Sequence, residues 1–167
     1  MRAISGGVFC DGVSCKYTFN EGHVPLIKKR FRPTAVESMF DSCIGGQKTI
    51  DGLYLDTSQC ASFYMFAYNC CLRKIKNLDI SSAINFDLAF NLTSLTELTF
   101  SGETTPGGRT IDLSSSYMSH AALVNMINSL PRAIAAAVIT ITGNPGASAL
   151  TDAEIAVATA KNWTVTI

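Results

Sequence analysis

Residues 75–80 read Ile75-Lys76-Asn77-Leu78-Asp79-Ile80, and the same apolar spacing, Φ-x-x-Φ-x-Φ, stands at Ile50/Leu53/Leu55 and at Leu95/Leu98/Phe100. These copies begin 25 and 20 residues apart. The closing alternating pair recurs at Ile111/Leu113, Ile139/Ile141 and Val165/Ile167, at intervals of 28 and 26 residues. Side chains two apart point to the same face of a strand, so each pair predicts a short strand with one buried face. A second element repeats between them. Met39-Phe40-Asp41-Ser42-Cys43 is echoed by Met65-Phe66-Ala67-Tyr68-Asn69-Cys70, and the series Phe40, Phe66, Phe90 has gaps of 26 and 24. Runs such as residues 61–69 are expected to form a helical turn whose aromatic ring fills the space between stacked strands. No single unit can bury its own apolar face, so the units are expected to stack over one core as a short solenoid.

Later units carry longer helices. Ser119 is placed to cap a helix over residues 121–130, with Leu123, Met126, Ile127 and Leu130 on one face and Pro131 ending it. Thr151-Asp152-Ala153-Glu154 fits a capping box that opens a helix reaching about Lys161, with Ile155 and Ala158 or Thr159 inward. Asn144-Pro145-Gly146 reads as a turn, and Trp163 to Ile167 as a final strand whose indole shields the end of the stack.

The chain has 167 residues, 47% of them apolar and 16% charged, which suits one domain and excludes intrinsic disorder. The 13 Lys and Arg balance 13 Asp and Glu, so a dedicated nucleic-acid binder is not expected. The longest apolar stretch, residues 133–141, is far short of the ~20 residues of a bilayer span. The first ten residues lack the apolar core of a secretory signal, which leaves a removed signal, another export route, or work inside a particle or cell.

The zero balance is an average over unlike parts. Residues 1–33 hold six Lys or Arg and two acids, a net of +4, and residues 34–167 carry −4. The first part, with an Asp11-Gly12 turn and alternating Val13, Cys15, Tyr17 and Phe19, reads as a β-hairpin-like basic arm or cap. Its densest charge, Lys28, Lys29, Arg30 and Arg32, is a candidate anchor against an acidic partner or a neighbouring subunit, or else a solvated loop capping the first repeat.

Chemistry-bearing motifs are sparse. Cys10 and Cys15 are close enough for a local bridge, whereas Cys43, Cys60, Cys70 and Cys71 read as buried thiols behaving as small apolar groups. The cysteine spacings and the remote His23 and His120 do not suit a zinc site. His120 lies near Asp112 and Ser114 to Ser116, but no nucleophile elbow accompanies it, and it reads as a polar first-turn residue beside the Ser119 cap. Gly102 to Gly108 lacks the Lys-Ser/Thr of a phosphate loop. No catalytic residue, cofactor or metal is implied.

The segment Leu55-Asp56-Thr57-Ser58-Gln59-Cys60 through Tyr64-Met65-Phe66-Ala67-Tyr68-Asn69-Cys70 resembles the BspA-like leucine-rich repeats of bacterial surface antigens. Ile111-Asp112-Leu113-Ser114-Ser115, the Ser119 helix and residues 150–163 resemble the C-terminal part of such proteins, so the likeness covers residues 34–167. It departs at Ser58, Ala83 and Glu103, where typical repeats place Asn or Cys, and at Pro106-Gly107-Gly108, which reads as a loop. The resemblance implies an α/β leucine-rich-repeat solenoid, with one parallel sheet and short helices, following the N-terminal arm. It also implies a non-enzymatic module that binds protein or glycan at a cell surface, or a component of a phage particle anchored by residues 1–33. Stacked strands would align Tyr54, Asp79, Thr99, Asp112, Thr140 and Thr164 in one outward row, the candidate binding face.

Overall fold

The computed structural model describes residues 32–43, 48–114 and 116–167, together with the backbone of four short strands nearer the N-terminus. Those are β1 (Val8–Cys10), β2 (Cys15–Tyr17), β3 (His23–Val24) and β4 (Gly45–Gly46). β1 pairs antiparallel with β2, with Cys10 opposite Cys15, and β3 pairs parallel with β4. Lys28, Lys29 and Arg30 lie outside the described residues.

The alternating apolar triplets become β5 (Thr49–Asp51), β6 (Lys74–Asp79) and β7 (Glu97–Ser101), a parallel sheet in that order. Ile50, Ile75 and Leu98 stand in register and all three are buried. The third copy therefore aligns one apolar position later than its sequence suggests, through Leu98 in place of Leu95. A β-bulge in β6 absorbs the difference, because Ile75 pairs with Leu98 but Leu78 pairs with Phe100. Asn77 carries the bulge with φ 53°.

β8 (Thr104–Gly107), β9 (Thr110–Asp112), α1 (His120–Ser129), β10 (Arg132–Ala135), β11 (Ala137–Thr140), α2 (Asp152–Thr159) and β12 (Trp163–Thr166) follow. β9, β11 and β12 form a second parallel sheet, with Ile111, Ile139 and Val165 in register, and β8 pairs with β10. The stretch read as a loop at Pro106-Gly107 is thus a strand. Both predicted caps form: the Ser119 hydroxyl accepts from Ala122 N–H, and Thr151 and Glu154 make the reciprocal capping box. α2 ends at Thr159, earlier than the sequence suggests.

These pairings correct the expectation of a leucine-rich-repeat solenoid with one parallel sheet. The described strands divide into separate small sheets, in an α/β mix with two helices. The break has a local cause. After β7 the chain turns through Gly102 (φ 91°), and β8 finds its partner in β10 instead of extending the first sheet. On β7, Phe100 N–H donates to the Ser129 hydroxyl at the end of α1, so a helix side chain takes a backbone group that a further strand would need.

Opposite the first sheet, the predicted helical turn is replaced by irregular turns bonded to one another. Ser38, Phe40 and Ser42 N–H donate to the carbonyls of Tyr64, Phe66 and Tyr68. Phe63, Met65, Ala67 and Asn69 N–H donate in the same way to Asn85, Asp87, Ala89 and Asn91. Each turn holds two left-handed residues four apart: Ser38 and Ser42, Met65 and Asn69, Leu88 and Leu92. Inside, Phe66 meets Phe40 and Phe90 edge-to-face at 5.3 and 6.3 Å, as the phenylalanine spacing anticipates. Among the described residues one apolar cluster runs from Val36 to Trp163, beneath both three-stranded sheets.

Gly52 has a steric reason to be glycine, since a Cβ there would stand 1.9 Å from the Asn77 carbonyl oxygen. Gly52 N–H donates to Lys76 O across the same contact. Gly52→Ala should therefore force β5 away from the bulge and cost about 1–3 kcal/mol. Chemical denaturation checks this, and an unchanged midpoint would show that the bulge yields instead.

Candidate functional site

The carboxyl ends of the first sheet carry a depression of about 320 Å3 lined by Gly52, Leu53, Asp56, Asn77, Asp79 and Ser101. Its floor follows from a short motif that recurs beyond β5 and at the ends of β6 and β9. In Asp56-Thr57-Ser58, Asp79-Ile80-Ser81 and Asp112-Leu113-Ser114, the aspartate Oδ1 accepts the N–H of the serine two residues on. Such Asx turns stop a strand sharply and hold the carboxylate at its tip. Ser58 and Ser81 hydroxyls donate to the same oxygens, at 2.7 and 2.5 Å.

Hydroxyls also tie one motif to the next: Thr57 Oγ1 donates to Asp79 O, Ser82 Oγ to Ser58 O, Ser101 Oγ to Asn77 O and Thr105 Oγ1 to Ile80 O. Asn77 Nδ2 donates to Asp51 Oδ1, and its N–H donates to Thr99 Oγ1. The depression is therefore a set of hydroxyl, amide and carboxylate groups fixed by short bonds. Leu53 and Tyr54 stand beside it, 66% and 44% exposed.

Arg32, one of the four candidate anchor residues, is turned onto the protein itself. Its Nε donates to Asp56 Oδ2 at 2.7 Å, and Asp56 is only 5% exposed. The Cys60 thiol donates to Pro33 O at 3.2 Å. Together these hold residues 32 and 33 against the first sheet.

No family model, curated protein or solved structure matches this chain.

The expected outward row divides between the two sheets. Asp79 lies opposite Ser101, with Thr99 set back on β7 because of the bulge, and Tyr54 sits in the turn after β5. In the second sheet Asp112 pairs with Thr140, whereas Thr164 pairs with Val138 and so stands in the neighbouring row. The structure thus joins Asp79 to Asp56, Asn77 and Ser101, and Asp112 to Thr140, without one line through all six. Asp56, Asn77 and Ser101 were missed because the bulge and the repeated Asp-x-Ser motif, which would locate them, leave the apolar pattern nearly unchanged.

Elsewhere, His120 Nε2 and Glu154 Oε2 are 3.0 Å apart and join the starts of α1 and α2. Ser116, near His120 in sequence, is buried, and its hydroxyl has no hydrogen-bond partner among the described residues. Burial pushes the Cys43 thiol up to about 11 and those of Cys60 and Cys70 to about 12, which suits packing side chains better than nucleophiles. Among the described residues no group of three or more His, Cys, Asp or Glu could hold a metal ion. No helix there is long and apolar enough to cross a membrane.

The Thr151 N–H, joined by His120, holds the Glu154 carboxyl down at about 2, from an ordinary 4.5. A depressed folded-state value stabilises the folded chain above the unfolded value, and this stability is lost as pH falls towards the folded one. The difference in thermal midpoint between wild type and Glu154→Gln should accordingly be full above pH 4.5 and shrink as pH falls towards 2. A difference independent of pH across that window would contradict the assignment.

Proposed function

We propose that this chain is a non-enzymatic recognition module that binds an external glycan or protein ligand. The observation that carries the reading is the depression at the ends of β5, β6 and β7. There, fixed hydroxyl, amide and carboxylate groups meet an exposed leucine. A sugar presents that combination of needs, with hydroxyls to be bonded and C–H faces to be covered. The local sequence resemblance of residues 55–70 to bacterial surface-antigen repeats supports the same class of function. Asp79 is the central residue, because Oδ1 is held by Ser81 while the second oxygen lies outside those bonds. Tyr54 lies in the turn after β5 and Thr99 two residues before Ser101 on β7, and Asp112, Thr140 and Thr164 offer a second polar face on the other sheet.

A second reading, a component of an assembly such as a virion, is favoured by the Arg32–Asp56 pair and the Pro33–Cys60 bond. Whatever holds residues 1–31 then holds the first sheet without a hinge at residue 33. In either reading the ligand is met at a cell or particle surface, and nucleic acid is not the partner.

Screening the full chain on an array of neutral and acidic glycans tests the first reading. Asp79→Asn and Leu53→Ala should each weaken the retained glycan tenfold or more, with thermal midpoints close to wild type. Unchanged binding by both variants would remove the depression from the function.

A further inference from the structure

Eight lysines and arginines fall among the described residues, and they divide into two kinds. Arg32, Arg109, Arg132 and Lys161 are turned onto the protein itself. Arg32 pairs with Asp56, and Arg109 donates to Ile84 O and Gly108 O. Arg132 reaches Ala160 O, and Lys161 reaches the carbonyls of Ile127 and Asn128 at the end of α1. The other four, Lys48, Arg73, Lys74 and Lys76, cluster on the first sheet, and of these Arg73 donates from one guanidinium nitrogen to Ser94 O at 2.9 Å. Arg73 and Lys74 N–H both donate to Lys48 O, so the three residues adjoin where β5 and β6 begin. Lys74 and Lys76 follow on the outer face of β6, which puts their Cα atoms ~6.7 Å apart along a strand ~4.8 Å from its neighbours. Glu97 bridges both ammonium groups, at 3.1 and 3.4 Å, and Asp51 stands opposite Lys76, so four cations face two acids at this end of the sheet and an excess positive charge remains. Burial tends to raise the Glu97 carboxyl, but its bonds to the two lysines outweigh this and hold it below its ordinary value.

This concentration of cations lies on a segment, residues 34–167, whose net charge is −4. From it we infer that the outer face of β5 and β6 binds an acidic polysaccharide, with sulfate or carboxylate groups seated on Lys48, Arg73, Lys74 and Lys76. The rest of that face decides the class of partner. With those of β7, its other outward residues are Thr49, Asp51, Asp79, Glu97, Thr99 and Ser101, none of them apolar. A protein partner would find no aromatic or aliphatic anchor. A nucleic-acid strand would find no stacking ring and would meet three carboxylates, Asp51, Asp79 and Glu97. A chain of acidic sugars uses both features, the cations for its charges and the threonines for its hydroxyls. The ligand class rests on the recognition reading above but not on the depression, since the strip and Asp79 lie at opposite ends of β6.

The experiment is equilibrium binding of the full chain to dextran sulfate, polygalacturonate, uncharged dextran and a DNA duplex, over a range of salt concentrations. Binding to at least one acidic polysaccharide is expected, with none to dextran and at least tenfold weaker binding to the duplex; the tighter of the two identifies the favoured anion. Affinity should fall as salt rises. Lys48→Gln with Lys74→Gln should weaken binding about tenfold. Glu97→Gln, which releases two ammonium groups, should strengthen it several-fold. Thermal midpoints near wild type, and Asp79→Asn binding acidic polysaccharide normally, keep the strip distinct from the depression. Failure of both polysaccharides to bind would overturn the inference, as would equal binding of the duplex or an unaltered affinity in the double lysine variant. Loss of glycan binding by Asp79→Asn alone would leave it standing.

Discussion

The rest of this structure depends on a backbone constraint: successive turns donate their N–H groups directly to the carbonyls of the next turn, from Ser38 to Asn69. Buried backbone groups must be paired, and these turns are neither helix nor sheet, so the neighbouring turn is their partner. The geometry requires left-handed residues at fixed places, and only Asn69 among the six is a residue that enters that region easily. Met65, Leu88 and Leu92 take it at a cost of roughly 1–2 kcal/mol each. What offsets the cost is the ladder itself and the edge-to-face contacts of Phe40, Phe66 and Phe90 that it holds in place. On the opposite side the Asp-x-Ser turns and their threonine and serine bonds repeat the same stitching with side chains.

The depression is a by-product of that stitching. Strands must end abruptly for the chain to cross to the turn side, and aspartate ends them by accepting the N–H two residues later. Asp79 and Asp112 are thereby set at strand ends by folding alone, and Asp79 shares its recess with Asp56, which makes the same turn beyond β5. The lysine strip arises differently. The side chains of Lys48 and Lys74 are both exposed and stand outside the core, Lys74 meeting Glu97 on the next strand. A ligand can select such residues without disturbing the core.

Much of the local structure was legible. The apolar alternation located β5, β6, β7, β9, β11 and β12, because burial imposes a period of two on any half-buried strand. Ser119 and Thr151 announced their helices through capping chemistry that is local in sequence. The phenylalanine spacing announced the interior contacts. The arrangement of sheets was not legible, because it depends on which partner wins after Gly102. Phe100 N–H is claimed by Ser129, 29 residues away, and no periodicity encodes that choice. The bulge was hidden too: Asn77 leaves Ile75 and Leu78 on the core face, so the pattern stays intact while the row of outward residues shifts. Arg32 looked like part of a solvated cluster because its partner, Asp56, is 24 residues on.

The single tryptophan has a use that its packing confers. Trp163 is buried at the start of β12, and its indole Nε1–H donates to Pro131 O at 2.8 Å, tying the last strand to the exit of α1. The first sheet and its turns contain tyrosines at 54, 64 and 68 but no tryptophan. Indole emission therefore reports on the docking of the C-terminal strand, and tyrosine-weighted signals include the other half. The molecule thus carries its own two-colour label for asking whether its two three-stranded sheets come apart together or in turn.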